Sequence, residues 1–257
     1  GRGPQPLQVA GHHVTQGRIA WLGPDDPPDA FPDVSLALTE PDGLLAAGGD
    51  LRPDRLLAAY VRGIFPWYED GQPVLWWAPD PRCVLWPDKL HVSRRLRQQL
   101  RSSRAELRFN TAFDAVIRAC AGKRRSEQGT WITGAMIAAY EDLHRDGWAH
   151  SVEIWDEHGL AGGLYGLCIG KVFFGESMFS ARPNTSKMAM LGLIRHMQSA
   201  GLRILDCQVP SPHLFTLGAE FMPREAFSAL LAEACDPPAP HDGWPSEPVP
   251  VSRLFIA

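Results

Sequence analysis

The stretch KVFFGESMFS (171–180), ARPN (181–184), TSKMAMLGLIRHMQSA (185–200), GLRILDCQ (201–208) changes its hydrophobic period twice, and that change decides the fold. Lys171 to Ser180 reads as a strand, while Asn184 to Ala200 places Met188, Leu191, Ile194 and Arg195 at helical spacing and stops at Gly201. Arg203 to Gln208 is again strand-like. Strand, helix, strand makes a crossover that joins two parallel strands of one sheet. Immediately upstream, His150 to Trp155 and Leu160 to Ile169 are two further strand runs, set off by Asp156-Glu157-His158-Gly159 and Gly170-Lys171. The sheet is therefore expected to begin as an antiparallel meander and to close through the crossover.

Working outward, Pro223 to Ala234 is helical. Thr133 caps a helix that runs to Asp146 and stops at Gly147, Ala112 to Ala121 is amphipathic, and Ser93 caps an arginine-rich helix to about Ser102. Phe65 to Trp86 carries Trp67, Trp76, Trp77 and Trp86 among prolines and must be extended and turn-rich. Pro53 opens a short helix that ends at Gly63, with Arg52 a poor N-cap. The expected architecture is α+β: a flexible segment 1–33, a small Trp/Pro-rich N-terminal domain 34–90, a catalytic domain 91–235 and a Pro-rich surface tail 236–257. By fold analogy the catalytic domain is GNAT-like, that is, acyl-CoA N-acyltransferase-like, and such an analogy assigns no activity.

The chain has 257 residues, 45% hydrophobic and 21% charged, which puts it among globular proteins. No apolar run approaches a membrane span, and Gly1 to Gly11 lacks the pattern of a signal peptide, so a soluble cytoplasmic protein is expected. Five cysteines without a C-x-x-C pair argue for reduced thiols and against a cysteine metal site, and the scattered histidines add no metal ligand set. Charge is polarised: Arg82 to Arg125 carries a net +9 and the remainder −13. Helical spacing puts Arg94, Arg97, Arg101 and Arg104 on one face without i,i+4 carboxylates, as a polyanion-binding surface requires. P-loop, G-x-S-x-G, G-x-G-x-x-G and H-E-x-x-H patterns are all missing.

Period-two geometry makes Asp206 and Gln208 neighbours on an otherwise apolar strand, with Cys207 a packed thiol on the other side. The same rule groups Phe174, Glu176 and Met178 against Phe173, Gly175, Ser177 and Phe179. If both strands lie in one sheet, Glu176 and Asp206 share an edge, where α/β sites form. No nucleophile and base pair is evident, which favours acyl transfer to an amine that supplies its own nucleophile. A CoA donor needs a glycine-rich pyrophosphate loop, and Arg182 to Lys187 is not one. No cofactor is expected. A nucleic-acid donor would use the basic region and exposed tryptophans, which leaves an aminoacyl donor, a CoA acetyltransferase and a non-catalytic RNA-binding module to be separated.

Six runs sharpen this choice: EPDGLLAAGGD (40–50), RGIFPW (62–67), WWAPDPR (76–82), GTWIT (129–133), FGESMFS (174–180) and DCQ (206–208). Together, over roughly residues 31–235, the chain resembles the bacterial leucyl/phenylalanyl-tRNA–protein transferases. The resemblance implies transfer of Leu, and less efficiently Phe or Met, from aminoacyl-tRNA to the N-terminal Arg or Lys of a protein. The product is an N-end-rule signal read by the ClpS adaptor and degraded by ClpAP. It further implies that Trp67 and Trp131 hold the terminal adenosine, that Leu164, Phe173, Phe174 and Met178 form the donor side-chain pocket, and that Glu176, Asp206 and Gln208 form the polar centre. In that centre Asp206 would polarise Gln208, and the acids would attract the basic acceptor. Arg52 and the turn Pro210-Ser211-Pro212-His213 depart from the family pattern. Nothing in the sequence asks for more than a monomer.

Overall fold

The computed structural model describes residues 18–128 and 132–255. The first third of the chain builds a four-stranded sheet from β1 (Ala20–Leu22), β2 (Leu44–Gly48), β3 (Phe65–Pro66) and β4 (Leu75–Trp77), in the order β1-β2-β4-β3. Helix α1 (Pro53–Tyr60) lies between β2 and β3 in the chain, with Pro53 at its first turn and no side-chain cap from Arg52. Next come β5 (Arg82–Leu85), α2 (Arg94–Ser102), β6 (Glu106–Phe109), α3 (Phe113–Gln128) and α4 (Gly134–Arg145). The meander β7 (Ala149–Asp156), β8 (Gly159–Ile169) and β9 (Val172–Ser180) leads into α5 (Thr185–Ala200) and β10 (Ile204–Gln208). The chain closes with α6 (Pro212–Thr216), β11 (Glu220–Met222), α7 (Arg224–Ala234) and β12 (Val249–Pro250). Among the described residues the larger sheet has eight strands in the order β11-β5-β10-β9-β8-β7-β6-β12.

The crossover forms as the periodicity predicts, with β9 and β10 parallel and Phe173 beside Leu205. Gly201 ends α5 in the left-handed region (φ 70°) and donates its N–H to the Met197 carbonyl, a conformation that suits glycine. Gly192, within α5, allows close packing on β6: a Cβ there would stand 2.5 Å from Leu107 Cδ1. Ser93 and Thr133 cap α2 and α4, each accepting the N–H three residues on. The buried Glu153 carboxylate does the same work for α3, accepting the Thr111 and Ala112 N–H groups at 3.1 and 3.3 Å.

Two apolar layers flank the larger sheet. One holds Tyr60, Trp76, Tyr140, Phe174 and Phe227, from α1, the small sheet, α4, β9 and α7. The other holds Leu96, Phe173, Leu191, Leu193 and Leu205, from α2, β9, α5 and β10.

Four expectations change. Residues 18–33 are not loose, since Ala20–Leu22 pairs in parallel with β2. Residues 236–255 are not a surface tail: Val249–Pro250 pairs with β6, Val251 is buried, and Trp244 stacks on His150 and His196. Helix α2 ends at Ser102, so Arg104 lies beyond it and off the helical face. The strand β5, inside the segment 34–90, belongs to the larger sheet.

Candidate active site

β9 and β10 pair only from Val172/Ile204 to Phe174/Asp206. Past that point a cavity of about 490 Å³ is lined by Gly175–Met178 on one side and Asp206–Pro210 on the other. Its apolar wall comes from Leu164 on β8, Phe173 and Met178 on β9, Met190 and Leu193 on α5, and Leu205 on β10. Trp67 lines it as well and is 44% exposed. Its carbonyl accepts the Trp77 indole N–H at 2.7 Å, which ties the residue to β4.

The grouping expected on β9 is altered by a β-bulge. Tyr165 pairs with Ser177, but Gly166 pairs with Gly175, leaving Glu176 as the extra residue. The insertion switches the alternation, so Met178 pairs with Leu164 and joins Phe173 in one layer, while Phe174 lies in the other. Phe174 therefore does not line the cavity. It meets Tyr60 edge-on, with ring centroids 5.4 Å apart.

Glu176, Tyr60, Tyr140 and Gln208 form one buried network. Tyr60 donates to Glu176 Oε1 in a short hydrogen bond, so the short contact between the two phenols has Tyr140 donating to Tyr60. Gln208 Nε2 donates to the same Glu176 oxygen at 2.8 Å. Glu176 Oε2 is buried with no hydrogen-bond partner among the described residues. Burial, only partly offset by those two donors, pushes the Glu176 carboxyl up to about 8. At pH 7 it is thus mostly protonated. Burial, reinforced by the adjoining Glu176, also raises the Tyr60 phenol.

Asp206 does a different job from the one expected of it. Arg82 grips its carboxylate with two bonds, Nε to Oδ1 at 2.9 Å and Nη2 to Oδ2 at 2.7 Å, with both residues fully buried. The guanidinium is sandwiched between Phe65 and Phe227 at 4.9 and 4.8 Å, and its Nη1 donates to the Gly63 carbonyl. Asp206 Oδ1 also accepts the Gln208 N–H at 2.9 Å, where Gln208 adopts φ 62° at the irregular end of β10. Asp206 therefore fixes the backbone of Gln208 and does not polarise its amide, which faces Glu176. With Asp206 neutralised and Glu176 mostly protonated, the centre is not an acidic trap for a basic acceptor.

Of the other residues singled out from sequence, Arg94, Arg97 and Arg101 are exposed on α2, without ion pairs among the described residues, and do not line the cavity. Trp131 lies outside the described residues. Cys207 is half-buried at the cavity wall. Sequence reasoning missed Arg82, Tyr60, Tyr140, Met190, Leu193 and Leu205. Arg82 closes the WWAPDPR run, and Met190 and Leu193 continue the apolar face of α5, so those three carried a local signal. Among the described residues no group of three or more His, Cys, Asp or Glu side chains is placed to hold a metal ion, and no helix is long and apolar enough to cross a membrane.

Two family models match the chain: leucyl/phenylalanyl-tRNA protein transferase over residues 84–232, and the N-terminal domain of that transferase over residues 49–80. A leucyl/phenylalanyl-tRNA–protein transferase of Pseudomonas aeruginosa is 54% identical over 224 residues, covering 87% of this chain and 98% of the relative. That of Chromobacterium violaceum is 51% identical over 226 residues, covering 88% and 96%. A solved structure of L-PGS from Bacillus licheniformis is 9% identical with a TM-score of 0.40, covering 65% of this chain and 55% of that one, too partial a likeness to argue from.

Proposed function

This chain belongs to the leucyl/phenylalanyl-tRNA protein transferase family, and from that premise we propose that it moves Leu, and less readily Phe or Met, from aminoacyl-tRNA to the N-terminal Arg or Lys of acceptor proteins. The observation that supports this reading best is a cavity of about 490 Å³ whose apolar wall adjoins the Gln208 amide, and the transfer needs one nucleophile. The acceptor amine supplies that nucleophile. An α-amino group titrates near 7.7–8.0, so a useful fraction is neutral at physiological pH.

In the proposed arrangement the donor side chain sits against Leu164, Phe173, Met178, Met190, Leu193 and Leu205, and the adenine stacks on Trp67, with Trp131 assigned by resemblance alone. The amine attacks the ester carbonyl, a C–N bond forms and the ribose C–O bond breaks. The nitrogen loses one proton and the ribose oxygen gains one. Gln208 positions this step: with Nε2 held by Glu176, its Oε1 is the acceptor left for an amine N–H. An amide is too weak a base to take the proton outright. Tyr60, Tyr140 and Glu176 fix the amide, and Arg82 with Asp206 fixes the strand end that carries it.

We also read the larger sheet with its crossover as a GNAT-like domain and the four-stranded sheet as a small N-terminal domain. The division between the sheets favours a boundary between Trp77 and Arg82, ahead of residue 90. The protein would work as a cytoplasmic monomer and feed the ClpS and ClpAP degradation route. The test is transfer of labelled Leu from Leu-tRNA to two peptides that differ only at residue one. Labelling of the Arg peptide and not the Asp peptide supports the reading, and labelling of neither refutes it.

A further inference from the structure

The cavity continues past Asn184, Lys187 and Leu217, which also line a second groove between α2 and the first turn of α5. Arg95 and Gln99 enter that groove from α2, Lys187 and Asn184 from α5, and His91 from the loop before α2. Asn184 Nδ2 donates to Gln99 Oε1 at 3.1 Å and ties the two helices together across it. No Asp or Glu lines the groove, and neither Arg95 nor Lys187 forms an ion pair among the described residues. Two cations held near one another without a counter-charge raise the local potential and call for an external anion.

The two substrates of the proposed reaction differ in sign where they approach. An acceptor that begins with Arg or Lys is repelled by Arg95 and Lys187. The donor instead brings a phosphodiester with every nucleotide that precedes its terminal adenosine. We infer that this groove carries the phosphates immediately 5′ of the donor's terminal adenosine, with Arg95 and Lys187 as its phosphate-contacting residues, an assignment that rests on the transfer reading above. The exposed arginines Arg94, Arg97 and Arg101 do not line this path. Arg95 was not singled out from sequence because helical spacing leaves it off the Arg94/Arg97/Arg101 stripe.

The test compares two donors on the full-length protein: Leu-tRNA, and leucyl-adenosine, which lacks the 5′ phosphate. One lost phosphate contact on a single strand flattens the log–log salt slope by about 0.7, which weakens binding about fivefold at about 0.1 M salt. Arg95→Ala and Lys187→Ala should each lower kcat/KM for Leu-tRNA by about fivefold and flatten its salt slope, while kcat/KM for leucyl-adenosine stays within about twofold. Lys171→Ala, in the exposed β8–β9 turn, is the control. Equal losses on both donors would mean that these residues shape the pocket, and would overturn the assignment. So would an unchanged Leu-tRNA reaction, or a KM change confined to the acceptor peptide. Direct binding of a fluorescent CCA trinucleotide separates this inference from the transfer reading. Wild-type protein that binds CCA, with both variants weakened, but transfers nothing leaves the groove standing and sinks transfer; normal transfer with CCA binding indifferent to both variants does the reverse.

Discussion

The buried pair Arg82–Asp206 offers the sharpest test of what the polar centre does. Asp206→Asn preserves shape and one acceptor for the Gln208 N–H, but strands the Arg82 guanidinium between Phe65 and Phe227 beside a neutral amide. Removing one partner of a buried pair costs about 3–5 kcal/mol. Against a total stability of about 5–15 kcal/mol, that is about a fifth or more. Arg82→Met strands the carboxylate instead and should cost a similar amount. Replacing both, Arg82→Met with Asp206→Leu, leaves no buried charge and should recover most of the loss, so the double variant costs far less than the two single losses added together. With a urea slope of about 3 kcal/mol/M, each single variant should unfold about 1 M earlier than wild type and the double variant close to it. Midpoints unchanged in the singles, or losses that add in the double, would refute the ion-pair reasoning. Transfer from Leu-tRNA by the folded double variant is the second readout. Activity within about tenfold of wild type fits a positioning role for Asp206, whereas wild-type stability with transfer abolished would make its carboxylate part of the chemistry.

Glu176→Gln should change the pH dependence of stability. The folded chain keeps a proton to about pH 8 that the unfolded chain releases near 4.5, so this group's contribution is full below about 4.5 and is lost as pH rises to about 8. Wild type should lose up to about 1.4 kcal/mol per pH unit in that window relative to the Gln variant. The paired comparison matters because burial pushes His150 down to about 3 and His196 to about 4, which lowers stability in the opposite direction as pH falls through 6.5. Parallel pH curves for the two proteins, from urea midpoints at pH 5 and 7.5, would contradict the raised carboxyl. Leu193→Ala enlarges the apolar wall and should move donor choice from Leu toward Phe by about tenfold or more in a competition of the two charged tRNAs; an unchanged ratio would remove Leu193 from the donor pocket. Trp244→Ala deletes the ring that packs on His150, His196 and the edge of Phe173 and should cost about 3 kcal/mol. A urea midpoint equal to wild type would show that residues 236–255 are not part of the folded core.

How far the sequence discloses this protein depends on how local each decision is. The crossover, the meander and the capped helices α2 and α4 were legible because period, cap and glycine stop lie within a few residues of one another. Leu44-Leu45-Ala46-Ala47-Gly48 was missed as a strand because every residue is buried, so it shows no alternation, and alanine and glycine have little strand preference. The bulge at Glu176 is set by a neighbour: a Cβ at Gly166 would lie 2.2 Å from the Phe174 carbonyl oxygen, so the slip in pairing depends on a glycine on β8 that β9 does not contain. That single insertion moves Met178 to the wall shared with Phe173 and leaves Phe174 outside, so counting by twos from Phe174 misgroups them. The same holds for charge. Glu176, Asp206 and Gln208 lie together beside the cavity, but what each touches follows from a partner far along the chain: Arg82, 124 residues from Asp206, and Tyr60, 116 residues from Glu176. A carboxylate read without its counter-charge looks like an acid awaiting a substrate. Once Arg82 and Tyr60 are placed, one acid holds a strand end in a left-handed turn and the other, mostly protonated, holds an amide. In the proposed transfer, positioning of the acceptor amine then falls to the one member of the trio that is never charged, Gln208.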